Sequence, residues 1–312
     1  MKPVSIALAA IAAPLALALP TELAARQDSV QPRVNIDPAF YPILQRYTRF
    51  AVASLATFTF NGGQCPSPPF NSTLVTAINN LITDTQVAVF RDDAARELIV
   101  SFAGSASVQD FITDFAFIPV NHTTAPGCND CKVHSGFYTA WRSVADELLS
   151  ALASLRTQNP GYATVITGHS LGGALATLAF TDLRANGIPL RTTYTLGAPR
   201  VGNRAYADFN DRLSGATDAP ARIADLVRIT HGIDGVPGLP LQAMGFQHSR
   251  TEIFQVDVSP GVQSAGTTYR CFGQEAADCN RKTQVGFINQ DHLIYTNILM
   301  NNGAECENVD GK

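Results

Sequence analysis

The stretch that most constrains this chain is Gly168-His169-Ser170-Leu171-Gly172, a G-x-S-x-G pattern set between an apolar run and a small-residue run. Upstream, Ala163-Thr-Val-Ile-Thr167 is short, apolar and β-branched, which predicts a strand buried on both faces. Downstream, Leu171 to Leu183 is rich in Ala and Leu and predicts a helix. Joining the two through a serine demands a tight, strained turn, and glycines two residues either side let strand and helix approach. The hydroxyl then stands at the top of the sheet. The free N–H groups of the helix start face the space where a tetrahedral oxyanion would develop. The five residues alone often mark only a Gly/Ser turn. The strand before and the helix after make Ser170 a candidate nucleophile for acyl transfer.

A chain of 312 residues with 46% hydrophobic content can bury a sizeable core around this turn. No Gly/Ser- or Pro-rich linker divides residues 27–312, so a single domain is expected there. A net charge of -4 offers no basic patch, which argues against a nucleic-acid partner. Lys2, the apolar run Val4 to Leu19 broken at Pro14, and Ala16-Leu17-Ala18 have the pattern of a secretory signal over residues 1–18. Leu23-Ala-Ala-Arg26 is read as closing a short pro-segment, residues 19–26. Six cysteines, an even count, fit an oxidised, exported chain. No later run is apolar enough for a stable membrane anchor. The expectation is a secreted, extracellular monomer.

Pro38 to Phe60 reads as an apolar helix ending at Asn61-Gly62-Gly63, packed across the back of the sheet. Asn71-Ser72-Thr73 and Asn121-His122-Thr123 are glycosylation sequons, so Asn71 and Asn121 are expected on surface loops. Gln86 to Phe90 and Glu97 to Phe102 read as paired strands around a charged turn. After the second comes Ala103-Gly104-Ser105, then Val108, Phe111, Ile112 and Phe115 at helical spacing with polar residues opposite. A surface helix fits that pattern; its place after a strand end fits a movable cover equally well. Cys128-Asn-Asp-Cys131 lacks the second ligand pair of a zinc site and the setting of a redox motif, and is read as a local disulfide. Tyr138 to Leu155 predicts a long amphipathic helix. Thr192 to Leu196 and Leu226 to Thr230 predict further strands, and the alternation gives an α/β class with a mainly parallel sheet.

A serine hydroxyl needs a histidine to take its proton and a carboxylate to hold that imidazole in one tautomer. In this arrangement the partners follow in the order Ser, Asp, His. Asp234, just past a strand end in a Gly/Pro-rich loop, is the candidate acid; Asp225 lies at the wrong end of the same strand. Asp208, Asp211 and Asp218 read as solvated charges. After Asp234 only His248 and His292 remain. His292, at a turn leading into an apolar segment read as a helix, is the candidate base, and His248 reads as a surface residue. The side chain of His169 is expected to point away from Ser170, and His122, His134 and His231 are read as structural.

Gly168-His-Ser-Leu-Gly-Gly-Ala174, Gly197-Ala-Pro-Arg-Val-Gly-Asn203, Asp234-Gly-Val-Pro-Gly-Leu-Pro240 and Asp291-His292 with Tyr295 occur in that order. Together they resemble the class 3 lipases of filamentous fungi, a family that also contains feruloyl esterases, from about Pro38 to Cys306. The resemblance implies an α/β-hydrolase fold, a triad of Ser170, Asp234 and His292, and an oxyanion hole from Ser105 and the Leu171 N–H. It implies that residues 106–115, with Val108, Phe111, Ile112 and Phe115, form a lid. It also implies the disulfides Cys65–Cys306, Cys128–Cys131 and Cys271–Cys279. Phe111 stands where related lipases often have Trp, and Ile233 where a polar residue usually precedes the acid. Such a site uses no metal or organic cofactor. The expected activity is hydrolysis of acylglycerols at a lipid–water interface. A feruloyl esterase acting on plant cell-wall esters is the alternative, because the same triad serves it. A catalytically silent lipid- or glycan-binding protein is the third reading.

Overall fold

Strands whose every residue is buried set the architecture. Glu97–Phe102 and Leu226–His231 contain no exposed position, the pattern of strands covered on both faces. They belong to one nine-stranded sheet in the computed structural model, which describes residues 32–104, 118–219, 223–256, 262–280 and 288–306. Its strands are β1 (Val34–Asn35), β2 (Thr73–Asn80), β3 (Thr85–Asp92), β4 (Glu97–Phe102), β5 (Ala163–His169), β6 (Thr192–Leu196), β7 (Leu226–His231), β8 (Glu252–Gln255) and β9 (Thr268–Cys271). The order across the sheet is β1-β9-β8-β7-β6-β5-β4-β3-β2. β4 to β8 run parallel, and antiparallel strands flank them on both sides. The signal and pro-segment readings, Ser105 and the lid residues Val108, Phe111, Ile112 and Phe115 lie outside the described residues.

Alternate side chains of each central strand enter two different cores. Ile99 and Val165 face the helix α1 (Tyr41–Thr59), where Tyr47, Phe50 and Val52 meet them. Val100 and Ile166 face α2 (Ser135–Gln158) and α3 (Leu171–Ala185), against Trp141, Val144, Leu148, Leu175 and Phe180. A fourth helix, α4 (Arg204–Ser214), follows the loop after β6. Because β4 to β8 are parallel, their C-terminal ends all emerge at one end of the sheet. Antiparallel register brings the β2–β3 turn to that same end, since Val87 pairs with Phe102.

The cysteines close three disulfides, Cys65–Cys306, Cys128–Cys131 and Cys271–Cys279. The first ties the loop after α1 to the turn Gly303–Cys306. No helix among the described residues is long and apolar enough to cross a membrane.

Two local expectations are corrected. His292 leads into a short hairpin, Ile294–Tyr295 with Ile298–Leu299, where a helix was expected. Asn121 is exposed, but it ends a short strand, Pro119–Asn121, paired with Lys132–His134. Strands β1 and β2 at the two edges, and β8 and β9 just inside the β1 edge, carry too little hydrophobic alternation to be read from sequence.

Candidate active site

Ser170 joins β5 to α3 with φ 57° and ψ -123°, a backbone region that costs a non-glycine residue on the order of 1–3 kcal/mol. Close packing holds it there. A Cβ on Gly172 would lie 2.3 Å from the Phe102 carbonyl oxygen, so only glycine lets the start of α3 press against the end of β4. The Ser170 N–H donates to the Leu196 carbonyl at 2.8 Å, fixing the turn to β6 as well. Leu171 is the first residue of α3 and has no carbonyl four residues back in the helix to bond.

The structure brings the three sequence candidates together. Asp234 follows β7, and His292 sits in the 3-10 turn Gln290–Leu293. His292 Nε2 lies 3.0 Å from Ser170 Oγ, and its Nδ1 lies 2.9 Å and 3.0 Å from the two Asp234 carboxylate oxygens. An ionised carboxylate only accepts, so Nδ1 carries the proton and Nε2 turns its lone pair to the serine. All three side chains are buried. Asp234 also accepts from the Val236 N–H at 2.9 Å and from the Tyr295 hydroxyl at 2.5 Å. Burial and the adjacent Asp234 charge push the Tyr295 phenol well above its ordinary pKa, so it remains a donor. Gly197, at φ 57°, leaves room for this pair. A Cβ there would stand 2.9 Å from both Asp234 Oδ2 and the Tyr295 oxygen, and 3.1 Å from His292 Nδ1.

The loops bearing Asp234 and His292 are laced to each other. The Ile233 N–H donates to Asp291 Oδ2 at 2.7 Å, and Asn289 Nδ2 donates to the Ile233 carbonyl at 2.6 Å. His231 Nδ1 donates to the Asp291 carbonyl at 3.0 Å, while its Nε2 accepts from Gln263. His169, beside the serine, turns to the backbone of His292 and donates Nε2–H to that carbonyl at 2.8 Å. Burial, then the neighbouring His292, keep its pKa well below the ordinary histidine value, and the ring stays neutral.

Sequence reading missed the buried ionic support beneath Asp234. Arg200 grips Glu275 through two parallel bonds of 2.7 Å and 2.9 Å. Its third nitrogen donates to the carbonyls of Gly238 and Pro240, at 2.6 Å and 2.9 Å, in the same loop as Asp234. Burial alone would raise the Glu275 carboxyl, but Arg200 holds it down at about 2. His248, expected on the surface, is buried here, donating Nε2–H to the Pro237 carbonyl at 2.8 Å. Asp211, expected to be solvated, is also buried and binds Arg250 and Gln274. Asp218 pairs with the same Arg250. Asp225 pairs with Arg184 near the end of α3, remote from Ser170. The available signal was chemical: a loop with Pro237 and Pro240 strands its carbonyls, and a buried cation must answer them. Among the described residues, no three His, Cys, Asp or Glu side chains are grouped to hold a metal.

Parallel strands covered by helices on both faces, with a serine between strand and helix and its acid and histidine on later loops, make this an α/β hydrolase. Residues 99–244 match the profile of the lipase (class 3) family. The chain is 37% identical over 207 residues to the secreted mono- and diacylglycerol lipase 1 of Fusarium solani, a match spanning 66% of this chain and 58% of that protein. It is 32% identical over 237 residues to the secreted mono- and diacylglycerol lipase A of Penicillium cyclopium, spanning 75% of this chain and 73% of that one. The Rhizomucor miehei lipase propeptide complex superposes with a TM-score of 0.74 at 28% identity, covering 88% of this chain and 85% of that one. The chain belongs to the class 3 lipase family.

Proposed function

We propose that this protein is a secreted lipase that hydrolyses acylglycerol esters through an acyl-enzyme on Ser170. The observation that carries the reading is the unbroken series from Ser170 Oγ through His292 to Asp234, with separations of 3.0 Å and 2.9 Å. Ser170 Oγ attacks the ester carbonyl while its proton passes to His292 Nε2. Asp234 stabilises the imidazolium through Nδ1–H. The Leu171 N–H and Ser105 bind the oxyanion. Collapse of the tetrahedral adduct breaks the ester bond, and His292 gives its proton to the leaving alcohol. Water, deprotonated by His292, then attacks the acyl-enzyme and releases the fatty acid. No metal or organic cofactor enters these steps.

Residues 1–18 act as the secretory signal and 19–26 as a pro-segment; the propeptide of the Rhizomucor miehei complex lends the latter support. Residues 27–312 work as one domain and a monomer, with glycans carried at Asn71 and Asn121. The segment 106–115 serves as a lid with Val108, Phe111, Ile112 and Phe115 on its apolar side. Covering about 200 Å² of apolar surface with lipid is worth on the order of 5 kcal/mol, enough to favour an open state at an interface.

The test compares the native protein with Ser170→Ala on emulsified triacylglycerol, a diacylglycerol, dissolved p-nitrophenyl butyrate and methyl ferulate. Serine-dependent fatty-acid release from the emulsions, with a jump in rate on short esters above their solubility limit, is expected. Turnover confined to methyl ferulate would make the protein a cell-wall esterase.

A further inference from the structure

Leu81 and Ile82 occupy the turn between β2 and β3 and are 82% and 96% exposed. With Val262 at 74% and Ile233 at 59%, they are the four most exposed large apolar side chains among the described residues. All four lie in connections at the end of the sheet that carries Ser170. Ile233 follows β7, Val262 lies between β8 and β9, and the β2–β3 turn adjoins the end of β4, where the Ala103 N–H donates to the Gln86 carbonyl at 3.1 Å. Turns are ordinarily built of polar residues and glycine, so two adjacent bare aliphatic side chains call for a cause.

The turn is rigid. Asn80 Oδ1 accepts from the N–H groups of Ile82 and Thr83 at 3.1 Å and 3.2 Å, and Asn80 Nδ2 donates to the Ser143 carbonyl on α2 at 3.2 Å. The Thr83 and Ser143 hydroxyls meet at 2.6 Å. Backbone donors satisfied within the protein lower the cost of moving the turn out of water. The neighbouring acid, Asp84, is engaged by Gln86 Nε2 at 2.7 Å. The Asn71 sequon precedes β2 at the far end of the hairpin, about 26 Å away for eight extended residues. A glycan there would leave the turn clear. Two side chains offer far less than the roughly 1,200 Å² a stable protein interface buries, but they suffice for insertion among acyl chains.

We propose that the Leu81–Ile82 turn is a fixed anchor that inserts into the surface of aggregated acylglycerol and holds the Ser170 end of the sheet against it, separately from the lid. The proposal rests on the lipase reading of that site. The test floats Ser170→Ala protein with emulsified trioleoylglycerol droplets, with and without Leu81→Ser/Ile82→Ser. The double substitution is expected to weaken partitioning on the order of ten-fold or more. In the Ser170 protein it is expected to leave turnover of dissolved p-nitrophenyl butyrate unchanged. Ile82→Trp, carried in parallel, is expected to shift its emission to the blue on droplets and to be quenched by brominated acyl chains, and it decides the matter alone if the double variant misfolds. Unchanged partitioning with an unquenched Trp would overturn the anchor, as would a concentration-dependent dimer that the double variant loses. Hydrolysis of the droplets with unchanged partitioning would sink the anchor and leave the lipase reading standing. Turn-dependent binding without hydrolysis would do the reverse.

Discussion

Glu275→Gln removes one charge from the buried pair that supports the acid loop and nearly preserves shape. In the fold the Glu275 carboxyl is held at about 2 against an ordinary 4.5, burial being outweighed by Arg200. At ~1.36 kcal/mol per unit, that drop stabilises the folded state by about 3 kcal/mol at neutral pH. The amide cannot replace this term, and it leaves the Arg200 cation buried without a counter-charge, a loss of about 3–5 kcal/mol when one partner of such a pair goes. The folded pKa is depressed, so the contribution is complete above the unfolded value of 4.5 and is lost as pH falls toward 2. Urea unfolding followed by Trp141, the single tryptophan and a buried one, measures the gap between native protein and variant. It is expected to be about 3 kcal/mol or more at pH 7 and to narrow by roughly 1 kcal/mol at pH 3.5. A gap under about 1 kcal/mol at pH 7, or one constant between the two pH values, would refute the reasoning.

Gly197→Ala sets a methyl 2.9 Å from the Asp234 carboxylate at a φ of 57°; kcat on dissolved p-nitrophenyl butyrate is expected to fall about 100-fold with little change in KM. Tyr295→Phe deletes a donor to Asp234, and a loss of about ten-fold in kcat is expected, one charge-assisted hydrogen bond's worth. Among the disulfides, Cys65–Cys306 spans 241 residues and Cys271–Cys279 spans 8. By loop-closure entropy, replacing the first pair with serine is expected to cost about 5–6 kcal/mol and the second about 2–3, measured by urea unfolding.

The parts of the fold legible in sequence were those whose pattern is local. The runs around Ser170, the stripe of Trp141, Val144, Leu148, Leu152 and Leu155, and the order of serine, acid and histidine all follow from short-range periodicity or motif. What could not be read is polar and buried. β8 and β9 bury Glu252, Gln255, Thr268 and Arg270, so they lack the apolar signature of strands. Glu252 is inside because the Thr230 hydroxyl and the Asn280 N–H donate to it across 22 and 28 residues. His248 and Asp211 look like surface residues for the same reason, since their partners Pro237 and Gln274 lie 11 and 63 residues away. Burial of such groups is a property of a network, and a single sequence shows only its separate members.

The most direct test of the relay from Asp234 through His292 to Ser170 is labelling with an organophosphate, followed by peptide mass mapping of the native protein and of His292→Ala. The account predicts one adduct, on Ser170, formed at least ~1,000-fold more slowly in the variant. An adduct on another residue, or labelling of Ser170 at the same rate without the imidazole, would contradict it.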